Sequence, residues 1–315
     1  MVDLAIACYG LTKRFERHLA VNDVHLEINK GEVYGLIGPN GAGKTTLIKM
    51  LVAAEEPTTG EIYLNGELMR RDDTNPYLKQ QIGYLPDDFP VYDDLNVWDY
   101  LDYFARLYHL RQPHRRRRLQ EVLELVQLTS KRRSAIATLS RGMKQRLSLA
   151  RTIIHEPTFL CLDEPVSGLD PIARQQFREI IKILQQAGMT ILISSHVLSD
   201  LAELCTSVGI MELGYLVESA TLKELYSRLS RQQIILSTLG DLEQLKLELQ
   251  KNSLVQECVV LPQPGSLKVY FSGDSNDSAE LLRNLIQAGL PISQFNCTSE
   301  DLETIFLKLG HKQVS

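Results

Sequence analysis

The sequence is poor in the features that mark specialised chains. Its five cysteines, Cys8, Cys161, Cys205, Cys258 and Cys297, form no CxxC pair, which argues against a zinc ribbon and a dense disulfide framework and fits a reducing compartment. No stretch approaches the roughly 18 to 20 uninterrupted apolar residues of a membrane helix. The opening MVDLAIACYG lacks the basic region and cleavage site of a signal peptide, so the chain is expected neither to span nor to cross a membrane by itself. There is no excess of positive charge: 34 basic residues face 39 acidic ones, a net of -5. A nucleic-acid partner therefore has no global electrostatic basis, and a phosphate-bearing ligand needs a local site. Internal repeats are absent, and the single charge run is His114 to Arg118, whose preferred reading is a solvated helix face rather than a lipid or nucleic-acid patch.

What is present is ordinary globular composition, 44% hydrophobic and 23% charged over 315 residues, enough for one large domain and one small. From Leu4 to about Ala220, short apolar runs alternate with longer amphipathic stretches, the rhythm of an α/β domain. Beyond it the pattern predicts strand 231–238, helix 241–250, strands 256–261 and 267–271, helix 278–287, a strand through 290–295 and a last helix near 299–309. That order is a small α+β split β-α-β module, with the joint placed between Ser219 and Ser230.

The strongest motif is Gly38-Pro-Asn-Gly-Ala-Gly-Lys44-Thr45-Thr46. It follows the strand-like run Val33 to Ile37 and precedes the helix-like run Leu47 to Leu51, the context a phosphate-binding loop demands. Gly38, Asn40, Gly41, Ala42 and Gly43 bend the backbone so that successive N–H groups face phosphate oxygens, and the helix adds its positive end. Lys44 is assigned to the β- and γ-phosphates, Thr45 to magnesium and Thr46 to the α-phosphate. Phe159-Leu-Cys-Leu-Asp163-Glu164 is an apolar strand ending in two acids. Asp163 is placed to hold Mg2+ and Glu164 to act as general base on the water that attacks the γ-phosphate. Leu139-Ser140-Arg-Gly142 opens an amphipathic helix and offers a second anion-binding terminus.

With these motifs in order, residues 4 to about 220 resemble an ABC transporter ATP-binding subunit. The resemblance implies a P-loop NTPase fold of the ABC type, with a helical subdomain at about 88–135. It sets an ATPase domain at 1–222 and an accessory domain at 223–315 like that of exporter-type members. In such a family Ser140 and Gly142 match the signature that contacts the γ-phosphate held by the opposite subunit, although Arg141 and Met143 replace its usual Gly and Gln. His196, in Ile193-Ser-Ser-His196, matches the switch histidine. Asp170 matches the loop linking the two ATP sites, and Phe15 the ring that stacks on adenine. Asp87 stands where the family usually has a glutamine and is assigned to the metal. Val97, Leu101, Phe104 and Tyr108 are read as the core face of the helical subdomain; Phe89, Val91 and Tyr92 are read as the groove for a permease helix.

The implied cofactors are ATP and Mg2+. The implied partners are a polytopic membrane permease on a separate chain and a second ATPase subunit, identical or not, with no nucleic acid. The implied location is peripheral, on the cytoplasmic face of the cell membrane, with transport directed outward. A single P-loop, and no zinc or heptad insertion, speak against the related repair and translation ATPases. A GTPase is disfavoured because Asn29-Lys-Gly-Glu32 precedes the loop and lacks the base-reading aspartate. A small-molecule kinase would not need the signature and the histidine together.

Overall fold

The computed structural model describes residues 3–70, 76–88, 91–197, 201, 203–229 and 232–299. The chain divides into two compact units, Met1–Leu222 and Lys223–Ser315.

The first unit is built on two sheets. One is antiparallel, ordered β2-β1-β4-β5, from β1 (Leu4–Phe15), β2 (His18–Asn29), β4 (Thr59–Leu64) and β5 (Glu67–Met69). The other is ordered β10-β9-β3-β8-β7-β6, with β3 (Val33–Ile37), β6 (Ile82–Leu85), β7 (Phe159–Leu162), β8 (Thr190–Ser195), β9 (Ser207–Glu212) and β10 (Tyr215–Thr221). Its first five strands in sequence, β3 and β6 to β9, run parallel; β10 returns antiparallel as the edge. Every residue of β3, β7 and β8 is buried, as expected of parallel strands covered on both faces. Around them run α1 (Lys44–Leu51), α2 (Pro76–Gln80), α3 (Val97–Leu107), α4 (His114–Leu125), α5 (Arg141–Ile153) and α6 (Pro171–Gln186).

The core of α3 differs from the expected face. Val97 and Leu101 are fully buried, but their companions inside are Tyr100 and Ala105, while Tyr108 is 38% exposed. Phe104 is only partly buried; it stacks flat against Tyr92 and carries the Arg151 guanidinium over its ring.

After α7 (Leu222–Leu229), the second unit runs β11 (Gln232–Thr238), α8 (Leu242–Gln250), β12 (Val255–Val260), β13 (Ser266–Phe271), α9 (Ser275–Gln287) and β14 (Ile292–Ser299). Its sheet is ordered β12-β13-β11-β14 with all pairs antiparallel, a β-α-β-β-α-β arrangement. Ile234, Leu236, Leu245, Leu249, Val269 and Phe271 anchor its own core. Of the helix expected near 299–309, Ser299 ends β14 instead and 300–309 lie outside the described residues, as does Phe89 of the expected permease groove.

Candidate active site

Parallel strands in register deliver whatever follows them to one edge of the sheet. Ile37 pairs with Ser195, Leu162 with Ile193 and Leu85 with Leu162. The residues just past β3, β8, β7 and β6 are therefore neighbours: Gly38, His196, Asp163 with Glu164, and Asp87. This is the carboxyl edge where open parallel sheets bind ligands.

The glycine loop is held against backbone. A Cβ at Gly38 would lie 2.3 Å from the Met211 carbonyl oxygen, and one at Gly43 2.3 Å from that of Ala20. Gly43 also has φ of 101° as it starts α1, a conformation closed to side chains. Neither position admits a larger residue without moving chain. Lys44 is folded back, 6% exposed, its Nζ donating to the carbonyls of Gly38 at 2.7 Å and Pro39 at 3.3 Å.

Glu164 is the hub. Its Oε1 lies 3.5 Å from Lys44 Nζ and its Oε2 2.8 Å from His196 Nδ1. Because a carboxylate accepts, Nδ1 carries the proton, and His196 leaves Nε2 directed elsewhere. Glu164 has φ of 47°, left-handed backbone that costs a non-glycine residue about 1–3 kcal/mol. Ser194 secures the turn: its buried hydroxyl donates to Asp163 Oδ1 at 2.6 Å and accepts from the Glu164 amide at 2.9 Å. Asp163 is 1% exposed.

A cavity of about 290 Å³ opens beside this group, lined by Phe15, Asn40, Gly41, Ala42, Gly43, Lys44, Thr45, Thr46, Asp87 and Glu164, with His18 and Ala20. Phe15 is no core aromatic. It is 42% exposed at the end of β1, with Lys13 Nζ 4.9 Å from its ring centre. Burial pushes the Asp87 carboxyl above its ordinary value, and the neighbouring Asp163 and Glu164 carboxylates push it further; Arg141 opposes them.

Six sequence-derived residues are not in the lining of this cavity: Gly38, Asp163 and His196, whose contacts are described above, and Ser140, Gly142 and Asp170. Ser140 caps α5, its exposed Oγ accepting from the Met143 amide at 3.3 Å. Gly142 is buried where α5 meets α6, and a Cβ there would stand 2.6 Å from that of Ala173. Asp170 caps α6 through the Ala173 amide at 2.9 Å. Between them lies a contact the motif reading does not anticipate: Arg141 Nη2 donates to the Ser167 carbonyl at 3.1 Å. The guanidinium covers Gly168, whose φ is 66°. Ser194 was also legible only as a letter of Ile193-Ser-Ser-His196; its role follows from the register of β7 and β8.

Comparison with known proteins decides the family. The ABC transporter family model matches residues 21–167. The bacitracin transport ATP-binding protein BcrA of Enterococcus faecalis is 34% identical over 310 residues, 98% of this chain and 97% of that protein. The chain belongs to the ABC transporter ATP-binding proteins. Linearmycin resistance ATP-binding protein LnrL of Bacillus subtilis is 30% identical over 95% of this chain and 96% of its own length. A solved ATP-binding subunit of an ABC transporter superposes with a TM-score of 0.64 at 30% identity, covering 71% of this chain and 92% of the other. The ABC ATPase fold and ATP hydrolysis are thus established. As an ABC ATPase the chain binds ATP. No helix among the described residues is long and apolar enough to cross a membrane.

Proposed function

We propose that this ABC ATPase powers outward transport through a separate polytopic permease, closing on a second ATPase subunit when ATP binds. The observation that carries the catalytic assignment is the Lys44–Glu164–His196 chain at the carboxyl edge of the sheet. ATP's phosphates lie along residues 38–46, with Lys44 turned onto the β- and γ-oxygens, Thr46 at the α-phosphate and Phe15 against adenine. Glu164 takes the proton of the attacking water, and His196 steadies that water through its second nitrogen.

The donor set suits magnesium. Thr45 and Asp87 line the cavity; burial first, and then the Asp163 and Glu164 carboxylates, raise the Asp87 carboxyl, and a divalent cation would relieve that second, like-charge part. Thr45, Asp87 and Asp163 would hold it, and it would neutralise phosphate charge. Ser140, Gly142 and Asp170 serve the facing subunit's nucleotide.

Residues 1–222 are assigned the motor and 223–315 an accessory role. Val91 and Tyr92 border the permease groove, and the subunit is held by the permease on the cytoplasmic face of the membrane. Outward direction is supported by the relatives' association with bacitracin transport and linearmycin resistance. Glu164→Gln is expected to bind ATP, to lose hydrolysis by about 10²-fold or more, and to accumulate as a closed dimer in light scattering. Turnover near that of the wild type would refute the assignment of the base.

A further inference from the structure

A second cavity, of about 730 Å³, opens on the helical subdomain among α3, α4 and the segment that follows α4. Its making is local. Residues 95–98 and 132–136 form a short antiparallel ribbon: Trp98 N donates to Arg132 O at 2.9 Å, Val97 N to Ser134 O at 3.1 Å and Ile136 N to Leu95 O at 2.9 Å. Asn96 and Ala135 bridge between them. The ribbon fixes Arg132 and Arg133 beside Trp98, the chain's single tryptophan.

The wall opposite carries Asp102, whose carboxylate takes Arg106 at 2.7 Å and Arg115 at 2.8 Å. Those two charges are spoken for. Among the described residues, the guanidiniums of Arg116, Arg132 and Arg133 have neither an ion pair nor a hydrogen bond, though all three line the same cavity. With five arginines against two aspartates the lining is positive, in a chain whose net charge is -5. Converging like charges repel, and a planar guanidinium fork matches phosphate oxygens two at a time.

We propose that this cavity binds a small soluble polyanion of the phosphoester or polyphosphate class, gripped by Arg116, Arg132 and Arg133 with Trp98 as its aromatic wall. The volume is that of small-molecule sites, roughly 300–1,000 Å³. A concave cavity with an indole in its lining serves a compact ligand better than a flat sheet of lipid headgroups. The site is separate from residues 38–46 and does not depend on the transport reading. It has an outlet toward function, since the ribbon runs directly into Leu139 and Ser140.

Trp98 is its own reporter. Tripolyphosphate is titrated into the wild type and into Lys44→Ala, where the phosphate loop is disabled, while indole fluorescence is followed. A saturable change in both is expected, weakened about tenfold or more when Arg116, Arg132 and Arg133 are all changed to glutamine on the Lys44→Ala background. The three are exposed, so the variant keeps its fold, which far-ultraviolet dichroism checks. A response absent from Lys44→Ala, or unchanged in the triple variant, overturns the proposal. Arginine-dependent sedimentation with anionic phosphatidylglycerol vesicles, without a saturable tripolyphosphate response, overturns it in favour of a membrane surface.

Discussion

At the scale of single residues, the start of α5 separates packing from function. Gly142 faces Ala173 with no room for a methyl group. Gly142→Ala is expected to cost about 1–3 kcal/mol by forcing α5 and α6 apart, and Ala173→Gly, which removes the opposing methyl, should restore part of that. Melting midpoints of the single and double variants measure both effects; a Gly142→Ala protein as stable as wild type would contradict the packing account. Arg141 is the opposite case. Its side chain is exposed and its bond to the Ser167 carbonyl is worth little to global stability. Arg141→Ala is expected to move the melting midpoint by no more than about 3 °C while raising hydrogen exchange at the Gly168 and Leu169 amides. Unchanged exchange there would mean the guanidinium does not brace the turn.

At the scale of elements, legibility followed burial. β3, β7 and β8 are buried throughout and apolar except for Thr190, Ser194 and Ser195, and the loops after them carry motifs whose spacing is chemical, so these strands and the cavity lining other than His18 and Ala20 could be read from the text. The face of α3 could not. Val97, Leu101, Phe104 and Tyr108 keep helical spacing, yet Phe104 and Tyr108 meet Arg151 and His155, polar partners that no periodicity shows. Tyr108 stacks on His155 with ring centres 3.9 Å apart, and His155 Nε2 donates to the Ile82 carbonyl at 3.1 Å. Nδ1 is buried without a partner. Burial pushes the His155 pKa below its ordinary value, against the raising effect of that hydrogen bond, and Arg118 adds to the lowering. The unfolded chain, near an ordinary pKa of about 6.5, therefore takes its proton first. Stability from this residue is full above that value and is lost as pH falls through the lower folded pKa. His155→Phe keeps an aromatic partner for Tyr108 and cannot titrate. Its melting midpoint should fall less steeply than the wild type's between about pH 7 and 5; parallel slopes would count against the assignment.

At the scale of the whole molecule, each of the two units has a hydrophobic core of its own. The cluster under the first unit's sheets includes Ile6, Leu26, Leu36, Leu47 and Phe159, while that of the second centres on Ile234, Leu267 and Phe271. Every residue lining the cavity beside Lys44 and Glu164, the proposed ATP site, is in the first unit. Ligand binding stabilises the unit that holds the ligand, by mass action on its folded form alone. Calorimetry should therefore resolve two transitions, with ATP raising only that of the first unit. Phe271 is 1% exposed, and Phe271→Ala removes about 3–5 kcal/mol of packing from the second core. The variant should lower the ATP-insensitive transition and leave the other in place. If Phe271→Ala instead drags down the transition that ATP raises, the two cores melt as one cooperative body.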